Sequence, residues 1–118
     1  MAFSVPPTVL VGVGGALGAV LRWGVGEALR VEGYPASTLA VNVLGTFVLA
    51  ALTFAGAGED ATLLFGTGVC GAFTTFSSFS VDIVGLVETE RFAAAAVHAF
   101  GNLLGAGAAI GLAWLLVG

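Results

Sequence analysis

Hydroxyl side chains alternate with phenyl rings in the stretch GAFTTFSSFS, in an otherwise apolar part of the chain. On a continuous helix each residue advances about 100°, which separates one stripe of hydroxyls from one face of rings. The stripe holds Thr74, Ser77 and Ser78, and the ring face holds Phe76 and Phe79. Hydroxyls in membrane helices often bond the carbonyl four residues earlier, but five hydroxyls in seven residues exceed what that habit explains. A polar path between helices is the alternative.

A second polar stripe contains an amide. Thr38, Asn42 and Thr46 follow one another at intervals of four residues in an apolar segment. An amide facing lipid would leave its donors unsatisfied, so we expect Asn42 to face protein or a water-filled cavity. Interhelical hydrogen bonding and a donor that lines a pathway both stay open.

These groups suit a small anion. Hydroxyls and amides donate hydrogen bonds, and a phenyl ring presents a positive edge to a negative charge. The stretch carries no Lys or Arg that would hold an ion too tightly for release. The residues alone therefore indicate a pathway for a small polar solute, with an anion compatible.

The elements that must position these side chains are membrane helices. Of 118 residues, 58% are hydrophobic and only 8% are charged, with a mean hydropathy of +1.11, whereas soluble domains carry about 25% charged residues. Four apolar runs are long enough to cross a bilayer. We predict an all-α membrane protein, a single four-helix domain over residues 1–118, with spans at approximately 9–28, 38–57, 62–86 and 92–117.

Other classes of protein fit poorly. Three basic residues against seven acidic ones offer no patch for nucleic acid. No nucleophile, base and metal-ligand set converges in the sequence, so we expect no enzyme. Four helices enclose little space, and a pathway would lie between helices or between subunits, which favours an oligomer. Glycines four residues apart predict close helix packing: Gly14 and Gly18, Gly101 and Gly105, and Gly107 and Gly111.

The charged and remaining polar residues leave several points open. Arg30 and Arg91 place the first and third connections in the cytoplasm by the positive-inside rule, yet two arginines also allow dual topology. Arg22, inside the first span, either snorkels to the interface or serves as a vestibule charge. His98 and Asn102 share one helical face, and their role is open, as is that of Asp82.

Three segments together resemble a known family. GGALGAVLRW (14–23), VNVLGTF (41–47) and GVCGAFTTFSSFS (68–80) occur in this order in four short spans, and they are similar to the Fluc (CrcB) fluoride channels. The resemblance implies an antiparallel, dual-topology dimer with two fluoride pores at its interface, which passively exports cytoplasmic fluoride through the cell membrane. A homodimer and a pair with an oppositely inserted paralogue both stay open.

The resemblance also implies roles for particular residues. Phe76 and Phe79 would present ring edges to fluoride, and Asn42 would be the pore amide near the vestibule. The remaining matches are Ser77 and Ser78, which fall on the family's polar track, and Arg22, which falls on its first-span arginine. A structural Na⁺ at the dimer centre would be held by the backbone carbonyls of Gly71 and Thr74, in a break of the third helix.

Two alternative functions remain. A small proton-coupled multidrug exporter also has four spans, but it requires a carboxylate embedded in the first span, and Glu27 lies near the end of that span. A non-transporting membrane assembly subunit would use the glycine faces alone.

Overall fold

Four long apolar helices make up the computed structural model, which describes residues 5–118. They are α1 (Pro7–Ala28), α2 (Ala36–Phe54), a third span (Glu59–Glu88) and, after it, the long final helix α5 (Phe92–Val117). Each is long and apolar enough to cross a membrane. The prediction of an all-helical protein with four helices of membrane-spanning length and apolarity is confirmed.

The third span is interrupted near its centre. Its first part, α3 (residues 59–73), consists of Glu59–Ala61, a π-helical stretch Thr62–Cys70, and a closing turn Gly71–Phe73. Thr74 then adopts an extended conformation, with φ −81° and ψ 160°. The helix resumes as α4 (Ser77–Glu88). Glycine has a low helix propensity, and three glycines in the last six residues before Ala72 weaken the helix just before the break.

Two glycines of α1 let this helix approach α3 closely. Gly14 and Gly18 are both buried, and a Cβ added at Gly14 would lie 2.9 Å from Gly68 Cα. The same Cβ would collide with the carbonyl oxygen of Leu64, and one at Gly18 with that of Val69. This glycine pair forms the close helix contact that its spacing predicts.

The glycine pairs of α5 behave differently from each other. A Cβ at Gly105 would lie 2.7 Å from Val43 Cγ2, so α2 packs closely there, whereas Gly101 has only ordinary contacts. Gly107 and Gly111 have no atom within 4 Å of an added Cβ among the described residues. That last pair packs against nothing in the described part of the chain.

Small side chains fill the core, and large apolar ones cover the outside. The buried residues include Val41, Cys70 and Ala113, while Trp23 and Leu115 are 67% and 73% exposed. Exposed side chains of this size are expected where the solvent is lipid rather than water. The fold thus buries little against itself and presents an apolar exterior.

Two helix ends close with the same hydrogen-bond pattern but with different residues in the left-handed conformation. After α2, Gly56 has φ +69°, and the N–H of Ala57 donates to Leu52 O at 3.1 Å. After α4, Glu90 has φ +60°, and the N–H of Arg91 donates to Leu86 O at 2.8 Å. Glycine is the usual residue at this position, so the second end carries steric strain.

Candidate functional site

An open groove of about 680 Å³ follows the break in the third span. It is bounded by α2, α3, α4 and α5, so three of the four spans contribute to it. Its polar and aromatic lining consists of Asn42, Thr46, Thr67, Thr74, Thr75, Phe76, Phe79 and Asn102. Most of the rest of its lining is Gly, Ala and Leu, so a few polar groups lie in an otherwise apolar wall.

The side chain of Asn42 holds the break in place. Its Oδ1 accepts a hydrogen bond from the backbone N–H of Thr75 at 2.8 Å, and its Nδ2 donates to the carbonyl oxygen of the same residue at 3.0 Å. These are backbone groups that a continuous helix would have paired internally. Unpaired backbone groups are costly inside a membrane, so Asn42 stabilises the interruption directly. The Asn42 amide faces protein, as expected, and the residue also lines the groove.

Glycine on α2 brings the backbone close to the break. A Cβ at Gly45 would collide with Thr74 Cγ2 and lie 3.4 Å from Phe73 Cδ2. Gly45 is three residues from Asn42, and therefore lies on the same face of α2. The amide can reach Thr75 because no side chain separates the two elements at this level.

Two residues of α5 extend the polar contact. Asn102 Oδ1 accepts from Asn42 Nδ2 at 2.9 Å. Asn102 Nδ2 donates to the His98 carbonyl at 2.8 Å and lies 3.2 Å from the Nδ1 of that imidazole. Since His98 and Asn102 are both buried, the prediction that they share a face is confirmed, and the face is turned inward.

The histidine is completely enclosed. His98 is 0% exposed, and its Nε2 lies 3.3 Å from Asp82 Oδ2 on α4. The angle between them does not satisfy a hydrogen bond, and within residues 5–118 neither atom has another hydrogen-bond partner. On the other side of the ring, Nδ1 lies 3.4 Å from the Tyr34 hydroxyl. Burial raises the pKa of Tyr34.

Aromatic rings line the groove next to this cluster. The centroids of Phe76 and Phe79 are 6.1 Å apart, and those of Phe79 and His98 are 5.2 Å apart. Phe76 lines the groove and is 79% exposed. The two phenyl rings are therefore neighbours, as the sequence spacing predicts.

The hydroxyl stripe predicted for a continuous helix is not formed, because the helix stops at Phe73 and restarts at Ser77. Thr74 Oγ1 instead donates to Cys70 O at 2.9 Å, and Ser80 Oγ donates to Phe76 O at 3.0 Å. These are the local backbone bonds that the sequence left as an alternative. Two hydroxyls of α2 form the same kind of bond: Thr46 donates to Asn42 O, and Thr53 donates to Leu49 O.

The other hydroxyls of the cluster have different surroundings. Thr75 Oγ1 accepts from the Ser78 N–H at 3.0 Å and so caps the start of α4. The hydroxyls of Ser77 and Ser78 form no hydrogen bond with any described residue. They lie just beyond the groove rather than in its lining. Both donors are thus available to a partner from outside this chain.

Backbone carbonyls are also free at the break. No described residue donates a hydrogen bond to the carbonyl oxygen of Gly71 or Thr74. Both residues line the groove, and a Cβ at Gly71 would have no atom within 4 Å. Carbonyl oxygens are hard ligands, of the kind that half-helix ends offer to Na⁺ in membrane proteins.

Charged groups lie away from the groove. Arg22 is exposed on α1 and is not part of the groove lining. Glu27 forms an ion pair with Arg30 at the exposed end of the same helix. The described part of the first span therefore holds no carboxylate at membrane depth, and this argues against a proton-coupled exporter.

Comparison with known proteins places the chain in a family. The family model described as "CrcB-like protein, Camphor Resistance (CrcB)" matches residues 9–115. The chain belongs to the CrcB family. Among its relatives, one is "Fluoride-specific ion channel FluC 1" of Halobacterium salinarum, with 70% identity over 112 residues, which are 95% of this chain and 94% of the relative.

Further CrcB relatives carry similar names at lower identity. "Fluoride-specific ion channel FluC 2" of Haloarcula marismortui is 55% identical over 92% of this chain and 91% of its own length. "Fluoride-specific ion channel FluC" of Oceanobacillus iheyensis is 36% identical over 91% of this chain and 85% of its own length. The similarity thus extends over nearly the whole chain, including the groove.

Sequence reasoning missed two parts of this candidate site. Thr75 was only one of five hydroxyl residues, yet its backbone is the group that Asn42 holds. Asp82 was not paired with His98, because the two residues lie on different helices. The spacing of four residues between His98 and Asn102 was the one sequence feature that indicated a polar cluster on the final helix.

Proposed function

We propose that this chain is a fluoride-selective channel of the cell membrane, through which cytoplasmic fluoride leaves passively. The observation that carries the proposal is the groove at a broken membrane helix, where amide, hydroxyl and phenyl groups meet. The relatives named as fluoride-specific ion channels support the same conclusion.

The proposed pathway replaces the water around the ion with weak donors. Phe76 and Phe79 turn ring edges toward fluoride, and the positive edge of a phenyl ring attracts an anion. Ser77 and Ser78 supply hydroxyl donors, and Asn42 supplies its amide. Because no arginine lines the groove, the ion is not held too tightly to leave.

A second copy, inserted in the opposite direction, completes the pathway. The groove is open along its side, and polar groups facing lipid at this depth would be unsatisfied. A partner that carries the same groove would cover it and use the free donors of Ser77 and Ser78. We propose a dimer in the plasma membrane, formed with a second copy of this chain or with an oppositely inserted paralogue, with two pores at the interface and Arg22 at a vestibule.

A structural Na⁺ at the centre of that dimer is the remaining part of the proposal. The carbonyl oxygens of Gly71 and Thr74 would hold it, since the described residues leave both without a hydrogen-bond donor. The cation would offset their charge where water is scarce.

The Na⁺ proposal predicts a cation-specific effect on the folded dimer. Replacing Na⁺ by choline should lower the thermal unfolding temperature of the purified protein, and adding Na⁺ back should restore it in a saturating way. The measurement is a thermal melt at constant ionic strength. Identical melting in the two salts would contradict the site.

The function itself is tested by flux from liposomes. Vesicles loaded with potassium fluoride and containing the purified protein should release fluoride rapidly once an ionophore carries the counter-charge, as measured with a fluoride electrode. Vesicles loaded with chloride should release almost none. A chloride flux of similar size would refute fluoride selectivity, and an absence of both fluxes would favour the non-transporting subunit.

A further inference from the structure

The polarity of the hydrogen bonds around Asn42 is fixed by the backbone. A backbone N–H can only donate, and that of Thr75 lies 2.8 Å from one end of the Asn42 amide. That end must be the oxygen. The other end is the NH₂ group, and its two hydrogens go to Thr75 O and to Asn102 Oδ1, at 3.0 Å and 2.9 Å.

This polarity passes to the next amide. Because Asn102 Oδ1 accepts from Asn42, its Nδ2 is the end that faces His98. One hydrogen goes to the His98 carbonyl, which can only accept. The other points to the imidazole Nδ1, at 3.2 Å. The Thr75 N–H at one end and the His98 carbonyl at the other therefore require the same donor-to-acceptor direction along these bonds.

The imidazole must then carry its proton on the far nitrogen. A proton on Nδ1 of His98 would oppose the N–H that Asn102 turns toward it at 3.2 Å, whereas the Tyr34 hydroxyl, at 3.4 Å, can donate or accept and is compatible with either state. With Nδ1 as acceptor, the ring is neutral and the proton lies on Nε2. Nε2 faces Asp82 Oδ2 at 3.3 Å, and both atoms are buried without another partner among the described residues. Helix α2, which also packs on α5, has no titratable side chain.

We propose that Asn102 and His98 are positioning residues of the pathway. They fix the orientation of the Asn42 amide, and through it the conformation of Thr75, with His98 held as the neutral Nε2–H tautomer beside Asp82. Phe76 directly follows Thr75 in the chain, so the same bonds set the place of a pore ring. The effect on transport rests on the proposed function, but the tautomer is a property of the folded chain alone.

The tautomer can be read directly, because His98 is the single histidine. Nitrogen NMR of the full-length protein, labelled with ¹⁵N-histidine at neutral pH, should show one protonated and one bare ring nitrogen, with the proton on Nε2. A proton on Nδ1, or on both nitrogens, would overturn the proposal.

Asn102→Asp tests whether Asn102 sets that tautomer. The carboxylate still accepts from Asn42 but offers no donor to Nδ1. The ring proton should therefore move to Nδ1, or both nitrogens should become protonated. If the spectrum of Asn102→Asp matched that of the wild type, the proposed role of Asn102 would be overturned. It would also be overturned if the wild-type spectrum matched that of a histidine in an unfolded chain.

Transport tests the consequence for the pathway. Asn102→Leu removes the acceptor of the Asn42 amide at similar volume, and fluoride flux should fall about tenfold, the effect expected from losing that one bond. Leu104→Ala, an exposed position on the same helix, is the matched control and should conduct as the wild type does. Equal flux in Asn102→Leu and wild type would overturn the proposal. A wild-type protein that conducts no fluoride would instead refute the proposed function, with the NMR result still deciding the tautomer.

Discussion

At the scale of single residues, the amide of Asn42 explains why the break is stable. Its three hydrogen bonds join α2 to Thr75 and to α5. The sequence predicts that this amide avoids lipid, since an unsatisfied donor is costly there. It does not predict the partners, because Thr75 and Asn102 are 33 and 60 residues away in sequence and only the fold brings them together.

The exposed ring of Phe76 gives a residue-scale prediction. Phe76→Ile should slow fluoride flux about tenfold or more, since isoleucine keeps an apolar side chain but has no positive ring edge. The variant should still fold as the wild type does, because the ring is 79% exposed within one chain and does not hold its helices together. Flux from liposomes and a thermal melt measure the two effects.

Phe100→Ile is the control for that variant. Phe100 is 61% exposed on α5 and lies outside the groove, so its replacement should leave flux unchanged. Equal flux in Phe76→Ile and wild type would remove this ring from the pathway.

At the scale of elements, the third span shows what a sequence pattern can predict about a membrane helix and what it cannot. The length and apolarity of the segment predict a membrane helix correctly. The assignment of each hydroxyl to a face assumes a continuous helix. That assumption is wrong beyond Phe73, where the helix ends. The wide π-helical turns before the break also have no signature in local hydrophobicity, so the register of Thr74 and Ser77 could not be read from spacing.

The contact between α1 and α3 predicts unequal effects at two adjacent glycines. Gly14→Ala should destabilise the protein by about 2 kcal/mol, because the new methyl group meets backbone atoms that cannot move aside. Gly15→Ala should leave stability unchanged or slightly raised, because the position is open. Thermal unfolding of both variants in one detergent makes the comparison, and equal melting temperatures would contradict the packing.

The end of α4 offers a stabilising substitution. Glu90→Gly should raise stability by about 1 kcal/mol, because it removes a side chain from a left-handed backbone conformation. The reverse change at the equivalent end of α2, Gly56→Ala, should lower stability by a similar amount. A thermal melt checks both variants, and a loss of stability in Glu90→Gly would show that the carboxylate has another stabilising contact.

At the scale of the whole molecule, composition alone predicts four membrane helices, and the structure has them. The reason is that lipid imposes length and apolarity on every span. Which faces meet within one chain is less predictable, since the Gly14 and Gly18 pair packs tightly whereas Gly107 and Gly111 have open surroundings. Spacing alone is the same in both pairs.

Opposite insertion of two copies predicts labelling from both sides. In intact cells that express Gly58→Cys, where an added Cβ has no described atom within 4 Å, a membrane-impermeant thiol reagent should modify about half of the chains, because a weak arginine bias allows both orientations. Cys70 is only 3% exposed, so the unmodified protein gives a low background. Labelling of nearly all or nearly none of the copies would contradict dual topology.

The hydrogens of the Asn42 amide are already shared with Thr75 and Asn102 before any ion arrives. In the proposed pathway, a halide that approaches this amide would compete with an internal acceptor, and its binding would loosen a hydrogen bond that holds the break. Such exchange would give weak, short-lived binding rather than a trap. Fast passage of the ion and flexibility of the groove wall would then have the same cause, the exchange of the Asn42 hydrogen bonds.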